Sequence, residues 1–519
     1  MVWQPELDEL ARRRELALGM GGPENIARQH NGGKLTVRER VDRLLDAGSF
    51  HEVGALAGGA RYDDEGNLVE FRPSNFVMGH GRIDGRRVVI GGDDFTVRGG
   101  AADASVGGKQ GYSERMALEM KLPLVRLVDG TGGGGSVRTL GSSGRTYVPA
   151  NPAWETVIAA LSEIPVVGAA MGSVAGLGAA RVVTSHFSVM VKDSSQLFVA
   201  GPPVVEAGMG TPITKEGLGG SQIHAHGSLA VDNEAESEDD AFEQIRRFLS
   251  YMPQNVWEQP HRCPSDDDPC RREEELLSII PRNRRRPYNA RKLLQLVVDR
   301  DSFFEMGRFQ GPSQITGFAR LHGYPVAVLA NDPLVYGGGM DAPASEKLER
   351  FVDIADTFHL PIVNFVDQPG FVIGVQAEKA GTIRKGAAAM AAVYQATVPL
   401  AAIMLRRAYG VAGAAHMNHS HYNLRVAWPS GDWGSLPIEG GIEAAYRRDL
   451  ANAPDPAALR AEIERKLNMV RSPFRVAEAF GIEELIDPRD TRALLCDWAE
   501  LAYAVEATRL GPKRRGARC

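Results

Sequence analysis

The sequence of 519 residues has few cysteines, no excess of positive charge and no long apolar run. Its four cysteines show no disulfide-type spacing, which favours a reducing compartment. The formal net charge of −6 argues against a nucleic-acid-binding protein. No window approaches the about 18 apolar residues of a membrane span, so we expect none. The N-terminus, MVWQPELDELARRREL, lacks the apolar core of a secretion signal, and we predict a cytoplasmic protein.

What the sequence does contain is enough apolar material for a large folded core. Hydrophobic residues make up 43% and charged residues 24%, which is ordinary for a globular protein. Single cores rarely grow past about 250–300 residues. The length therefore predicts two domains, or one fold repeated.

An internal repeat supports the second alternative. Residues 79–94, GHGRIDGRRVVIGGDD, align with residues 317–332, GFARLHGYPVAVLAND, at an offset of 238. The same offset places Gly99 on Gly337 and Asp129 on Asp367. After a small slip, IPVVGAAMGSVAGLGAA aligns with VPLAAIMLRRAYGVAGAA. A match that holds its register over this distance predicts a duplicated domain.

Each copy alternates short β-rich runs with amphipathic helical segments, which predicts an α/β fold with buried strands. The charged, proline-punctuated segment 262–287 marks the seam between the copies. We therefore expect domains at residues 1–260 and 261–519. Cys263 and Cys270 lie in this seam, but they lack a second pair of ligands and do not predict a metal site.

Two glycine-rich stretches occupy equivalent places in the copies: AGLGAA at residues 175–180 and YGVAGAA at residues 409–415. Both follow an apolar strand and open a helix. One interpretation is tight helix packing, and the other is an anion site made of free backbone N–H groups. Nucleotide binding is the weakest interpretation, because GLGAAR contains only part of the GxGxxG pattern.

Two other patterns predict no chemistry of their own. His416, His419 and His421 are close in sequence, but their spacing matches no standard zinc site, so we predict no metal. The segment EMKL faintly resembles a biotinylation sequence, yet Lys121 lies inside a repeat unit and is interpreted as structural. Biotin, if used, would come from another chain.

The sequence resembles the carboxyltransferase (beta) subunits of biotin-dependent acyl-CoA carboxylases, the propionyl-CoA and methylcrotonyl-CoA carboxylase family. The resemblance rests on KLTVRERVDRLLDAGSF, FVAGPPVV, EGLGGSQIHAHGSLA, ITGFARLHGYPVAVLAN, SEKLERFVDIADTFHLPIVNFVDQPGF, GTIRKGA and RRAYGVAGAA, and it covers nearly the whole chain. It implies two crotonase-like domains built of ββα superhelix units. It also implies a homo-oligomer, a ring-shaped hexamer, that works with a biotin carboxylase and biotin carboxyl carrier (alpha) subunit.

The resemblance also implies the chemistry and the site. A carboxyl group would move from carboxybiotin, on a separate carrier protein or domain, to the α- or γ-carbon of an acyl-CoA thioester through an enolate. Backbone N–H groups at Val411 and Ala412 would hold the thioester oxygen, and those at Gly176 and Leu177 the biotin oxygen. Further expected contacts are Gly132, Gly133, Gly134, Gly410, Gly413 and Ala414 for the substrate, and Gly370 and Phe371 for biotin.

The sequence departs from the family pattern at both glycine stretches. Leu177 and Val411 replace glycines, so the oxyanion sites survive only if these two residues have ordinary backbone angles. Gly413 and Ala414 replace a tyrosine and an aspartate, which predicts a wider acyl pocket. Two alternative functions therefore stay open: a biotin-dependent acyl-CoA decarboxylase or transcarboxylase subunit, and a non-catalytic assembly subunit paired with an active homologue.

Overall fold

The structure is a computed structural model that describes residues 2–101, 106–130, 140–141, 144–146, 148, 150–151, 153–419 and 421–516. The chain forms two compact units, which divide between Glu258 and Gln259. Each unit is built on a mixed sheet with helices in the connections, as the alternating pattern predicts. Among the described residues, no helix is long and apolar enough to cross a membrane.

The first unit contains eleven strands among its described residues, seven of them in the main sheet, ordered β1-β4-β5-β6-β7-β9-β11. In this main sheet, β1 with β4 and β4 with β5 pair antiparallel, and the pairs from β5 to β11 are parallel. The strands are β1 His51–Glu52, β2 Gly58–Tyr62, β3 Leu68–Pro73, β4 Phe76–Ile83, β5 Arg86–Asp93, β6 Leu124–Val128, β7 Val166–Ala170, β8 Ser173–Ala175, β9 Phe187–Val191, β10 Gln196–Phe198 and β11 Asn233–Ala235. Its helices are Gln4–Leu18, Pro23–Asn31, Val37–Leu44, Lys109–Met120, Trp154–Ala160, Leu177–Val183, Pro202–Met209, Lys215–Gly219, Ser221–His224 and Glu238–Tyr251.

The second unit repeats this sheet as β12-β13-β14-β15-β16-β17-β19, and β18 extends the pairing of β16. The strands are β12 Phe304–Glu305, β13 Gln314–Leu321, β14 Tyr324–Asn331, β15 Ile362–Gln368, β16 Leu400–Tyr409, β17 Leu424–Ala427, β18 Asp432–Gly434 and β19 Glu484–Leu485. Its helices are Ala290–Val297, Ala342–Thr357, Val375–Lys379, Thr382–Gln395, Gly410–Ala414, Ile438–Ala445, Arg447–Asn452, Pro456–Val470, Pro473–Glu478 and Thr491–Glu506.

The repeat extends to single turns. The hairpins β4–β5 and β13–β14 close through Asp84–Gly85 and His322–Gly323, with positive φ at all four residues. This conformation suits a two-residue hairpin loop. In each unit one aspartate accepts both N–H groups of the turn: Asp46 in the first and Asp299 in the second. The two hairpin turns therefore have the same conformation and the same kind of aspartate contact at equivalent positions.

A charged cluster is also present in both units. Arg38 binds Glu52 at 2.8 Å in the first, and Arg291 binds Glu305 at 2.6 Å in the second. A lysine on the following crossover helix completes each cluster, Lys109 or Lys347. Burial lowers the pKa of Lys109 to about 8 and that of Lys347 to about 7. Because these charged positions recur together, the duplication preserved electrostatics as well as backbone shape.

Candidate active site

The bare stretch of the second unit is the junction between β16 and the short helix Gly410–Ala414. Gly410 has φ +62°, a conformation that glycine adopts without steric cost. Behind it, Ala412 is buried and Val411 is half-exposed. N–H groups in the first turn of a helix have no partner inside the helix. The turn therefore presents backbone donors beside small side chains.

The first unit places the same arrangement after β8. Gly176 has φ +62° and precedes the helix Leu177–Val183. A Cβ built on Gly176 would meet nothing within 4 Å, so this side of the turn is open. Gly176 and Gly410 are therefore equivalent in the repeat and have the same φ, and each stands where a helix begins.

These angles answer the question raised by Leu177 and Val411. The positive φ values fall on Gly176 and Gly410, and neither Leu177 nor Val411 has a positive φ. Both residues therefore keep ordinary backbone geometry and still carry an N–H group. The condition set by the sequence for the two donor turns is met.

The prediction that the Gly176 N–H donates to biotin is wrong. The Gly176 N–H donates to the carbonyl oxygen of Phe198 at 3.1 Å. A hydrogen already engaged in this way is not available for a ligand, so Gly176 serves through its conformation and its lack of a side chain. The donors that remain in this turn begin at Leu177.

The residues expected to contact the substrate differ in where the structure places them. Gly132, Gly133 and Gly134 lie outside the described residues. Ala414 and Gly410 line a cavity of about 270 Å³, together with Met404, Ala408, Met417, Trp433 and Ile482 among others. A volume of about 270 Å³ is far above the about 10–15 Å³ that one water requires, so the cavity has room for an acyl group.

Gly413 requires a correction. It also lines the cavity, but a Cβ built on it would lie 2.6 Å from the carbonyl carbon of Ala408. The space that a side chain would need is therefore filled by the backbone of β16. The absence of a side chain at Gly413 allows close packing of the helix, and only Ala414 contributes to widening the pocket.

Gly370 and Phe371 follow β15 at the same end of the sheet. The Gly370 N–H donates to the Gln368 side chain at 2.9 Å, and its carbonyl oxygen accepts from the Met340 N–H at 3.1 Å. The Phe371 ring packs against Gly386, where a Cβ would come within 2.3 Å of it. Both residues are thus held by the chain itself, and their contact with biotin stays a prediction.

The histidines after the short helix do not converge on a metal site. His416 is buried, and burial lowers the pKa of its imidazole to about 4. His419 lines the cavity, whereas His421 lines a different one. In the described part of the chain, no group of three His, Cys, Asp or Glu side chains is placed to hold a metal ion.

Lys121, in the segment that faintly resembles a biotinylation sequence, has a structural role: it pairs with Glu163 and lies over the Trp257 ring.

Sequence reasoning missed the residues that fix the end of β16. Arg471 binds Asp432 at 2.6 Å and approaches the hydroxyl of Tyr409 at 3.3 Å. Burial, together with the nearby Asp432 carboxylate, raises the pKa of Tyr409 to about 12. Tyr409 immediately precedes the donor turn, so this cluster fixes where the turn begins. No local pattern in the sequence joins residues so far apart.

The buried aspartates that the repeat aligns, Asp129 and Asp367, also had no assigned role. Asp129 binds Arg40 at 2.9 Å and Lys34 at 3.1 Å. Asp367 binds Arg406 at 2.8 Å and Arg407 at 2.7 Å. Burial opposes ionisation of Asp367, but the hydrogen bonds and charges of the two arginines outweigh it and hold its pKa below the usual value. Both carboxylates are structural anchors at the ends of β6 and β15.

Comparison with known proteins places this geometry in a family. Residues 28–517 match the carboxyl transferase domain. The chain belongs to the carboxyl transferase family. It is 35% identical to the propionyl-CoA carboxylase carboxyltransferase subunit of Haloferax mediterranei, over 95% of each chain. It is 33% identical to the biotin-dependent acetyl-/propionyl-coenzyme A carboxylase beta5 subunit of Mycobacterium tuberculosis, over 98% of this chain and 94% of that one.

A solved structure of the transcarboxylase 12S hexamer, with methylmalonyl-coenzyme A and methylmalonic acid bound, superposes with a TM-score of 0.87. The identity is 31%, covering 99% of this chain and 98% of that one. The resemblance, the α/β fold of the carboxyl transferases and the enzyme class predicted from the sequence are confirmed.

Proposed function

We propose that this carboxyl transferase takes a carboxyl group from carboxybiotin on a separate carrier chain and places it on an acyl-CoA. The observation that carries the proposal is the pair of equivalent turns at Gly176 and Gly410, each with φ +62° and each opening a short helix. Two developing oxyanions need two sets of preorganised donors, and the duplicated fold supplies two.

The turn of the second unit suits the thioester. The Val411 and Ala412 N–H groups would donate to the thioester oxygen as negative charge develops on it, and the acyl chain would extend into the cavity beside Ala414. Ala412 is buried, so this part of the turn is packed within the unit. A donor of this kind contributes about 2.7–4 kcal/mol to transition-state stabilisation in other oxyanion holes.

The turn of the first unit fits the biotin oxygen. A Cβ built on Gly176 would meet nothing within 4 Å, so a ligand atom can approach this side of the turn, and the Leu177 N–H lies in the first turn of its helix. When carboxylated, biotin supplies the carbon dioxide and a ureido nitrogen that accepts the α-proton of the acyl-CoA. The chain's contribution is to bind, orient and stabilise charge, and no nucleophilic side chain is required.

We infer that the chain works as a hexamer with a biotin carboxylase and biotin carrier subunit. The support is the similarity along nearly the full length to a hexameric transcarboxylase and to biotin-dependent carboxylase subunits. A cytoplasmic location is part of the same proposal. Its support is that the four cysteines of the sequence show no disulfide-type spacing.

Transcarboxylase or decarboxylase activity is the second candidate, and the superposition on transcarboxylase 12S is what favours it. The same two turns would serve either direction of transfer. The partner chain that receives or delivers the carboxyl group decides between them.

The test uses the purified full-length chain with free biotin and either malonyl-CoA or methylmalonyl-CoA. We expect biotin-dependent release of acetyl-CoA or propionyl-CoA, measured by chromatography. Carboxylation of an acyl-CoA series with a biotinylated carrier and its carboxylase then establishes the forward reaction. A chain that releases no product and binds none of these thioesters by calorimetry would be an assembly subunit, and the proposal would be wrong.

A further inference from the structure

Each helix that begins at a donor turn is hydrogen-bonded, at its C-terminal end, to a side chain on a strand of the sheet. We call each of these connections a tie. In the first unit, Arg126 on β6 donates through Nη1 to the carbonyl oxygens of Arg181, at 3.0 Å, and Thr184, at 2.6 Å. These carbonyls lie at the C-terminal end of the helix Leu177–Val183, where carbonyl groups lack partners inside the helix. One guanidinium therefore fixes the far end of this helix.

The second unit has a tie of different chemistry at the same register. Asn364 on β15 donates through Nδ2 to the carbonyl oxygen of His416, at 3.2 Å, and to Nδ1 of the same residue, at 2.8 Å. Asn364 stands at the repeat offset of 238 from Arg126. His416 follows the helix Gly410–Ala414 closely, and its neutral imidazole accepts this hydrogen bond.

Both ties are themselves held rigidly. Arg126 and Asn364 are buried on strands in the middle of their sheets. Glu114 grips Arg126 through two hydrogen bonds, of 2.9 and 2.8 Å, from the helix Lys109–Met120. Asn364 pairs in register with Leu329 on one side and Ala402 on the other. Strand, side chain and helix end thus form a fixed connection in each unit.

We propose that Arg126 and Asn364 are positioning residues for carboxyl transfer, which set the location of the oxyanion donors through the helices they hold. The inference rests on the proposed function of the two turns. A helix of five to seven residues is only about 8–10 Å long, so a shift at its C-terminal end moves its first turn as well. A misplacement of about 1 Å in an active site can cost about 10²-fold in rate.

The test is Asn364→Leu, which keeps the approximate volume and removes the donor. The expected result is a kcat at least about 10-fold below wild type, with KM for the acyl-CoA within about twofold, because the donors act mainly in the transition state. The matched control is Thr316→Val. It removes the 2.7 Å hydrogen bond that the buried Thr316 hydroxyl, on β13, donates to the Met306 carbonyl oxygen. This bond lies outside the helix Gly410–Ala414, so kcat should be unchanged.

A second variant, Asn364→Asp, keeps the inference testable if the leucine variant does not fold. A carboxylate cannot donate to the His416 carbonyl, so kcat should fall near neutral pH. It should recover in part as the pH falls, because the carboxyl group of this variant can donate again once it is protonated. Asn364 variants that assemble normally and keep wild-type kcat at every pH would overturn the inference. A wild-type chain without any biotin-dependent transfer would instead refute the proposed function.

Discussion

Gly176 and Gly410 have a positive φ of +62°, and both donor turns depend on this conformation. A residue with a Cβ costs roughly 1–2 kcal/mol in the left-handed region, so the glycine must stand at the turn itself. The neighbours Leu177 and Val411 then need only ordinary angles, which branched side chains adopt readily. This explains how Leu177 and Val411 occupy positions where the family pattern implied by the resemblance has glycine, without closing the donor turns.

The cavity beside Ala414 gives a prediction about substrate size. Ala414→Ile fills part of the space, so kcat/KM for the longest accepted acyl-CoA should fall at least about 10-fold, since one methylene in a hydrophobic pocket is worth about 1–3 kcal/mol. Acetyl-CoA and propionyl-CoA should be affected least. Steady-state kinetics over a series of chain lengths provides the measurement.

The matched variant for that series is Ala461→Ile, at an exposed alanine on the helix Pro456–Val470. It adds the same volume outside the cavity and should change none of the rates. An equal loss for short and long acyl-CoAs in Ala414→Ile would show that the cavity does not hold the acyl chain.

At the residue scale, local sequence was a good guide to conformation and a poor one to contacts. The alignment of the two copies located Gly176 and Gly410, because both copies need the same turn. It could not reveal that Phe198 engages the Gly176 N–H or that the Ala408 backbone fills the space at Gly413. Those facts depend on how separate segments pack, which no single stretch of sequence encodes.

The elements repeat more completely than the side chains. Strand order and hairpin turns recur in both units. Short stretches of sequence determine them, because hydrophobic alternation favours strands and the Asp-Gly or His-Gly pair favours the turn. The repeat offset predicted the duplication, and the alternation of β-rich and helical segments predicted the α/β fold. The helix ties differ, with an arginine at position 126 and an asparagine at position 364. Sequence reasoning missed these ties because each joins a strand to the end of a helix more than 50 residues further along the chain.

The buried lysine of the crossover helix predicts a pH effect on stability. The pKa of Lys347 is lowered to about 7 in the folded chain, while an unfolded lysine keeps about 10.5. Between these values the unfolded state binds more protons, so the lysine costs stability near pH 7, and this cost decreases as the pH rises toward about 10. Lys347→Met should therefore unfold at a higher temperature than wild type at pH 7.

The difference in unfolding temperature between Lys347→Met and wild type should narrow as the pH rises to about 9.5. Differential scanning calorimetry at several pH values is the measurement, with the exposed Lys466→Met as the control that shows no such trend. A constant difference across this range would mean that Lys347 is protonated in the folded protein.

The molecule as a whole is expected to assemble, because its relatives include a hexameric transcarboxylase that it matches over 99% of its length. Sedimentation at micromolar concentration should give about six times the chain mass of 56.1 kDa. Biotin-dependent transfer should sediment with the oligomer. A 56.1 kDa monomer with full activity would contradict the proposed assembly.

In the proposed mechanism, backbone N–H donors in the two turns stabilise the developing negative charges, and no reactive side chain takes part. The most direct measurement is biotin-dependent carboxyl transfer by Ala412→Pro, which lacks one N–H group, beside Ala412→Gly, which keeps it. Glycine is the matched control because Ala412 is buried and leaves no room for a larger polar group.

Both Ala412 variants must first show the wild-type oligomer mass and melting temperature. We expect Ala412→Pro to lose about 10²–10³ in kcat, the value of one oxyanion-hole donor, and Ala412→Gly to retain most of the wild-type kcat. An Ala412→Pro enzyme that assembles normally and transfers carboxyl groups at the wild-type rate would contradict the proposed mechanism.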